Sequence, residues 1–194
     1  MRIGYRAGIG AALALVLAAC VPATPTFKGS DLTGVDWGGD VVLQAHTGER
    51  VSTRDFQGKL VVLFFGYSQC PDICSPTLAK LALLRKSLGP EASRVQVVFI
   101  SVDPVHDTPQ QLATFVPKFD PSFVALTGKP DQIAAAAREF KILYAPNSND
   151  PMASIDHSSG IFVKDASGKL RLLWRNDISV EDMEHDVRLL LATK

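Results

Sequence analysis

Two long, continuously apolar segments constrain the fold of this 194-residue chain most strongly. Leu60 to Gly66 reads Leu-Val-Val-Leu-Phe-Phe-Gly, and Val95 to Val102 reads Val-Gln-Val-Val-Phe-Ile-Ser-Val. Strands that are buried on both faces have such runs, because neither face meets water. A helix-like stretch follows each run, from Pro76 and from Thr108. The two runs therefore predict a βαβ unit with a right-handed crossover.

The rest of the chain predicts a second, antiparallel half. The expected elements are an early hairpin (40–45 and 51–55), a third strand (123–126), a helix (130–140), a hairpin (161–164 and 170–174) and a terminal helix capped by Ser179. The first helix is expected to begin at Pro76, with Ser75 as its N-cap. A βαβ half joined to a ββα half predicts an α/β, thioredoxin-like fold, with a central mixed sheet flanked by helices and an N-terminal β-hairpin.

The charge balance excludes one class of partner. The chain has 20 basic and 20 acidic residues, so it offers no excess positive charge to a phosphate backbone. Its hydrophobic fraction of 46% is that of a globular domain that buries a full core. The composition predicts one domain that does not bind nucleic acid.

The N-terminus predicts export. Arg2 and Arg6 precede an apolar run over residues 7–19, which is too short to span a bilayer. Leu17-Ala18-Ala19-Cys20 resembles the lipobox of bacterial lipoproteins; the alternative is a plain secretory signal with a chance cysteine. We expect a signal peptide at 1–19, a lipidated Cys20, a tether over 20–30 and the domain over 31–194. The domain would then be lipid-anchored in the bacterial cell envelope, facing the periplasmic or extracytoplasmic side.

The remaining two cysteines lie in Cys70-Pro71-Asp72-Ile73-Cys74, where the first buried strand meets its helix. If this segment turns helically, both sulfurs lie on one face, so they can share a soft metal ion or close into a disulfide. A purely structural disulfide is the weaker alternative, because closing a loop of about five residues stabilises the fold by only about 2 kcal/mol. The pair therefore indicates chemistry at the carboxyl edge of the sheet.

Three blocks of sequence occur in the order found in one family. They are 64–74 with the cysteine pair, Ser101-Val102-Asp103-Pro104 with Asp107-Thr108-Pro109, and Asp156-His157-Ser158. Together they resemble the Sco/SenC family, the membrane-anchored copper chaperones of cytochrome oxidase assembly. The resemblance runs from about residue 31 to 191.

The resemblance implies a metal site and a target. It implies that Cys70, Cys74 and His157 bind one copper ion as Cu(I) or Cu(II), and that Asp103 orients His157 or the cysteine turn by hydrogen bonding. It also implies a carrier rather than an enzyme, which supplies the dinuclear copper centre of cytochrome c oxidase subunit II or acts on the thiols of that centre. Other copper chaperones or thioredoxin-like reductants would be its further partners.

A thiol:disulfide oxidoreductase is the main alternative function. It would use the same fold, with Cys70 attacking and Cys74 resolving, and would not need His157. A thiol peroxidase fits less well, because its resolving cysteine lies elsewhere in the chain. Two further residues near the second block are given minor roles: Asp107 is expected to support a helix start, and His106 to lie in a solvated loop outside the ligand set.

Overall fold

The computed structural model describes residues 26–145, 156–157 and 160–193, with the backbone alone at 144–145 and 156–157. It confirms the α/β, thioredoxin-like fold, with a mixed sheet between helices. Among its helices, none has the length and apolar character needed to cross a membrane.

The elements follow the predicted order. The main sheet is built from β1 (Ser30–Asp31), β2 (Val42–Ala45), β3 (Arg50–Ser52), β4 (Leu60–Gly66), β5 (Val95–Ser101), β6 (Val124–Thr127), β9 (Ile161–Lys164) and β10 (Leu170–Trp174). The backbones of β7 (Tyr144–Ala145) and β8 (Asp156–His157) form a separate antiparallel pair. The helices are α1 (Cys74–Ser87), α2 (Pro109–Phe115), α3 (Pro130–Glu139) and α4 (Val180–Ala192), with 3₁₀ turns at Thr53–Phe56, Gly89–Arg94 and Val116–Lys118.

Strand β4 occupies the middle of the sheet, whose order is β1-β10-β9-β4-β5-β6-β2-β3. It pairs in parallel with β5, Leu60 opposite Val95, and β5 pairs in parallel with β6. On its other side β4 pairs with β9 in antiparallel fashion, Phe64 opposite Ile161. The carboxyl ends of β4, β5 and β6 and the start of β9 therefore lie at one edge of the sheet.

Alternate residues of β4 build the two halves of the core. Leu60, Val62 and Phe64 pack on the side covered by α1, α2 and α4, whereas Val61, Leu63 and Phe65 pack on the side covered by α3. All seven residues of the strand are buried. The continuous apolar run thus arises because helices cover both faces, as in other sheets of this architecture.

The early hairpin joins the main sheet, which the sequence pattern did not indicate. Strand β2 pairs with β6, Gln44 opposite Thr127, so the hairpin extends the sheet at one end. At the other end β1 pairs with β10. The sheet is therefore wider than the βαβ and ββα halves alone would make it.

The chain is fastened to the domain from Lys28 onwards, within the last residues of the segment predicted as a tether. The buried carboxylate of Asp186 in α4 accepts hydrogen bonds from the backbone N–H groups of Lys28 and Gly29, at 2.8 and 2.9 Å, and from Trp174 Nε1 at 2.9 Å. Gly29 has to be small here, because an added Cβ would lie 2.4 Å from Trp174 Cδ1.

We predict that Asp186→Ala lowers the free energy of unfolding by about 3 kcal/mol or more, because three donors lose their buried acceptor. Urea unfolding followed by circular dichroism would measure the change. Asp177→Ala is the matched control, since Asp177 is an exposed carboxylate whose pair with Arg175 is also exposed, and we expect a change within about 0.5 kcal/mol. Equal effects of the two substitutions would contradict the role given to Asp186.

Candidate metal centre

The cysteine segment, residues 67–74, connects the carboxyl end of β4 directly to α1. The backbone N–H of Cys70 donates to Tyr67 O at 3.3 Å, and that of Thr77 donates to Ile73 O at 3.0 Å. Helix α1 begins at Cys74, with Ile73 as its N-cap, so the predicted start at Pro76 with Ser75 as the cap is wrong. Pro76 sits in the first turn instead, where its missing N–H has no intrahelical partner to lose.

Gly66 makes room for the sulfur of Cys74. A Cβ added at Gly66 would lie 2.7 Å from Cys74 Sγ and 3.0 Å from Phe99 Cε2. Gly66 shares the strand face of Phe64, and that face points toward α1. The last residue of the strand is therefore small because the second cysteine is packed against it.

Cys70 is half-buried at the N-terminus of α1. Burial by itself would raise the pKa of the Cys70 thiol. Hydrogen bonds from the Cys74 thiol and from the backbone N–H groups of Asp72, Cys74 and Ile73 outweigh it, so the pKa lies below the ordinary thiol value. Cys70 is thus the sulfur that becomes a thiolate first.

Cys74 is fully buried and has the opposite character. Burial raises the pKa of the Cys74 thiol far above its ordinary value, and its hydrogen bond to Cys70 and the negative charges of Cys70 and Asp107 add to the rise. A backbone hydrogen bond from Tyr67 opposes it only in part. Neither thiol is in a disulfide, and the two sulfurs are hydrogen-bonded to each other, so they lie on one side of the turn, as expected from the i, i+4 spacing.

Asp107 fastens the cysteine segment to the loop after β5. Its fully buried carboxylate accepts hydrogen bonds from the Ser68 N–H at 3.0 Å, from the Ser68 hydroxyl, and from the Ser101 hydroxyl at 2.6 Å. Burial raises the pKa of Asp107, although the Ser101 and Ser68 hydrogen bonds act against it. Asp107 was predicted to support a helix start, but its hydrogen bonds join two loops at the sheet edge. The cap of α2 is Thr108, whose hydroxyl accepts from Gln111 N–H at 3.3 Å.

Asp103 lies at the same edge, where its carboxylate contacts His106; its predicted contact with His157 falls outside the described side chains. Its carboxylate Oδ2 is 2.7 Å from His106 Nδ1, and its backbone N–H donates to Ser101 Oγ at 3.0 Å. Among the hydrogen bonds of the described residues, none joins the Asp103 side chain to the cysteine segment. Asp107 has that role instead, and no local sequence signal distinguishes the two aspartates.

The backbone of His157 lies in β8, opposite Tyr144 of β7. Four residues later Ile161 begins β9 and pairs with Phe64 of β4, the strand that leads to Cys70. The chain is thereby returned to the cysteine edge. The imidazole of His157 and the predicted Cys20 lie outside the described side chains.

The described side chains bring together two of the predicted ligands. Where side chains are described, no three His, Cys, Asp or Glu residues are grouped so as to hold a metal ion. The two sulfurs by themselves form a soft donor pair, which suits Cu(I) and Zn(II) among biological metals. A third donor would have to come from outside this set, and the predicted one is His157.

Comparison with known proteins decides the family. The SCO1/SenC family model matches residues 31–192. The chain belongs to the SCO1/SenC family. An SCO2-like protein of Rickettsia felis is 35% identical over 167 residues, which is 84% of this chain and 81% of the relative.

Solved Sco structures agree with the fold. Apo Sco1 from Thermus thermophilus superposes with a TM-score of 0.78 at 35% identity, covering 87% of this chain and 99% of that one. ScoI from Bradyrhizobium japonicum, solved with copper bound, superposes with a TM-score of 0.73 at 28% identity, covering 79% and 99%. Proteins of the Sco family bind copper and take part in cytochrome c oxidase assembly.

We predict that iodoacetamide labels Cys70 and spares Cys74 in the native protein. The lowered pKa of Cys70 means that its labelling rate rises to half-maximum below the pH of an ordinary thiol, about 8.5. Peptide mapping by mass spectrometry over pH 6–9 measures both rates and separates Cys20. In denaturant the two should react alike, whereas equal rates in the native protein would contradict the assigned environments.

We predict that Gly66→Ala is destabilising because of Cys74. In the wild-type background the added methyl group should cost about 1–3 kcal/mol in free energy of unfolding. In a Cys74→Ala background the sulfur is gone, and the cost should fall by about 1 kcal/mol. Urea unfolding of the four proteins gives this coupling; the same cost in both backgrounds would show that Phe99 alone sets the limit.

Proposed function

We propose that this Sco protein is a copper metallochaperone that carries one copper ion on Cys70, Cys74 and His157. The observation that supports this most is the hydrogen-bonded pair of thiols at the start of α1, at the sheet edge where β9 begins four residues after His157. Copper bound by solved relatives such as B. japonicum ScoI supports the choice of metal.

The ligand set suits a metal that changes oxidation state. Thiolates favour Cu(I) and imidazole nitrogen is also accepted by Cu(II), so two sulfurs and one nitrogen can hold either. Metal binding must displace the Cys74 proton, because the raised pKa keeps that thiol protonated at neutral pH. A carrier needs only to bind and release the ion, so no turnover reaction is implied.

The acceptor that we propose is the dinuclear copper centre of cytochrome c oxidase subunit II. Family membership supports the link to oxidase assembly, and the subunit is the finer part of the proposal. We further propose that residues 1–19 are removed, that Cys20 is lipidated and that residues 31–194 act at the extracytoplasmic side of the envelope. Other copper chaperones or thioredoxin-like reductants would load or reduce the protein.

A second candidate function, thiol:disulfide exchange, is favoured by the difference between the two thiols, since the pKa of Cys70 is lowered and that of Cys74 is raised. The Cys70 thiolate would attack a partner disulfide and release one partner thiolate, forming a mixed disulfide. Cys74, after losing its proton, would then displace the second partner thiolate and close a Cys70–Cys74 disulfide. The partner gains the two electrons that the pair loses. Both activities can belong to one protein.

We predict that the reduced protein binds one copper ion and that His157→Ala lowers the affinity by at least about 100-fold. Loss of a residue that only supports a ligand typically costs 10–100-fold, so a ligand should cost no less. Titration against a competing chelator measures the affinity, and the sulfur-to-copper charge-transfer band reports the ligand set. His185→Ala is the matched control, because His185 is a half-exposed histidine of α4.

An unchanged affinity and an unchanged band in His157→Ala would defeat the site assignment. The same variant separates the two functions, because disulfide exchange by Cys70 and Cys74 does not use the imidazole. Full reductase activity together with no copper binding by the wild-type protein would favour the oxidoreductase.

A further inference from the structure

The turn formed by residues 103–107 contains a histidine, His106, and is hydrogen-bonded to the cysteine segment through Asp107. The backbone N–H of Asp107 donates to Asp103 O at 2.9 Å and closes the turn. The Asp107 carboxylate is bonded to Ser68, and Cys70 follows Ser68 by two residues, at most about 7 Å of chain. His106 immediately precedes Asp107 in this turn. It therefore lies at the same edge of the sheet as the thiol pair.

Asp103 holds the imidazole of His106 in one orientation. The 2.7 Å contact to Nδ1 comes from a largely buried carboxylate, and the backbone N–H of the same residue donates to Ser101 Oγ at 3.0 Å. When Nδ1 carries the proton of the neutral ring, the lone pair is on Nε2. The side chain is 48% exposed, and no other described residue forms a hydrogen bond with the ring.

This arrangement is the one that metal-binding histidines use. Their second ring nitrogen usually donates to a carboxylate, which sets the tautomer and raises the basicity of the coordinating nitrogen. Imidazole is an acceptable ligand for copper. His185 also has a carboxylate neighbour, Asp186 at 3.2 Å, but that carboxylate belongs to α4, not to the turn joined to the cysteine segment, and already accepts from the N–H groups of Lys28 and Gly29.

His106 is nevertheless not part of a resting site among the described side chains, since no three potential ligands are grouped there. A ligand in the turn of residues 103–107, here called the rim of the site, can act during transfer without holding the ion at rest. The thiols indicate the direction of entry, because Cys70 is partly exposed and Cys74 is fully buried. An ion arriving from solvent or a partner meets the rim and Cys70 before Cys74.

We propose that His106 is a transfer ligand for copper, an inference that rests on the proposed carrier function. Nε2 bonds to the incoming ion as the donor gives up one ligand. Cys70 Sγ and then Cys74 Sγ replace donor ligands, and their protons pass to solvent. Nε2 leaves the ion once the proposed ligand set of the carrier is complete. The oxidation state of copper does not change. Release follows the same steps in reverse.

The test is His106→Asn in the full chain. Asparagine retains an N–H donor for Asp103 but has no ring nitrogen to bind the ion. Uptake of Cu(II) from a copper–glycine complex is followed by stopped-flow absorbance in the charge-transfer band, and release is followed with EDTA. We expect both rates to fall about tenfold, equivalent to 1.4 kcal/mol at the barrier, with unchanged affinity and spectrum. His185→Asn is the matched control and should exchange copper at the wild-type rate.

Each other outcome overturns the inference in a recognisable way. Wild-type exchange rates in His106→Asn would show that the imidazole takes no part in transfer. A fall in affinity with a shifted band would make His106 a resident ligand instead. Absence of copper binding by the wild-type protein would defeat the carrier function itself, which distinguishes that failure from failure of the role of His106.

Discussion

The burial of β4 on both faces is the constraint on which the rest of the structure depends. Its seven residues alternate between two cores, and its two edges pair with β5 and β9, so the strand has no freedom to shift. A slip by one residue would exchange the two faces and bury the wrong side chains. The end of the strand, and with it the position of the cysteine segment, is therefore set by packing throughout the domain.

Gly66 and Asp107 transmit that constraint to the sulfurs. Gly66 lets Cys74 pack directly on the end of the strand, so the second thiol is removed from water. Asp107 joins the start of the cysteine segment to the loop after β5 through Ser68 and Ser101. The two cysteines consequently differ although they are four residues apart on one helical turn. One is ready to ionise, whereas the other gives up its proton only when a metal or a disulfide replaces it.

Much of this fold was predictable because its signals are local. The apolar runs of β4 and β5, the cap at Thr108 and the cap at Ser179 each depend on neighbouring residues, and the structure has all of them. The pairing of β2 with β6 and the hydrogen bonds of Asp186 to Lys28 and Gly29 depend on residues far apart in sequence. No short sequence pattern predicts them. The same holds for Asp103 and Asp107, two aspartates in one turn whose different partners become visible only in three dimensions.

The place where the chain joins the domain, at Ser30, affects how close the cysteines can lie to a membrane. Ser30 pairs with Leu173, next to Trp174, and Trp174 lies opposite Ile161 at the level where β4 approaches its end. The polypeptide thus enters the domain at the same sheet edge from which the cysteines project. If Cys20 carries the lipid that we propose, the seven residues to Phe27 span no more than about 25 Å. An anchor so short would keep the sulfur-bearing edge within a few tens of ångströms of the bilayer, and so within reach of an acceptor embedded in that membrane.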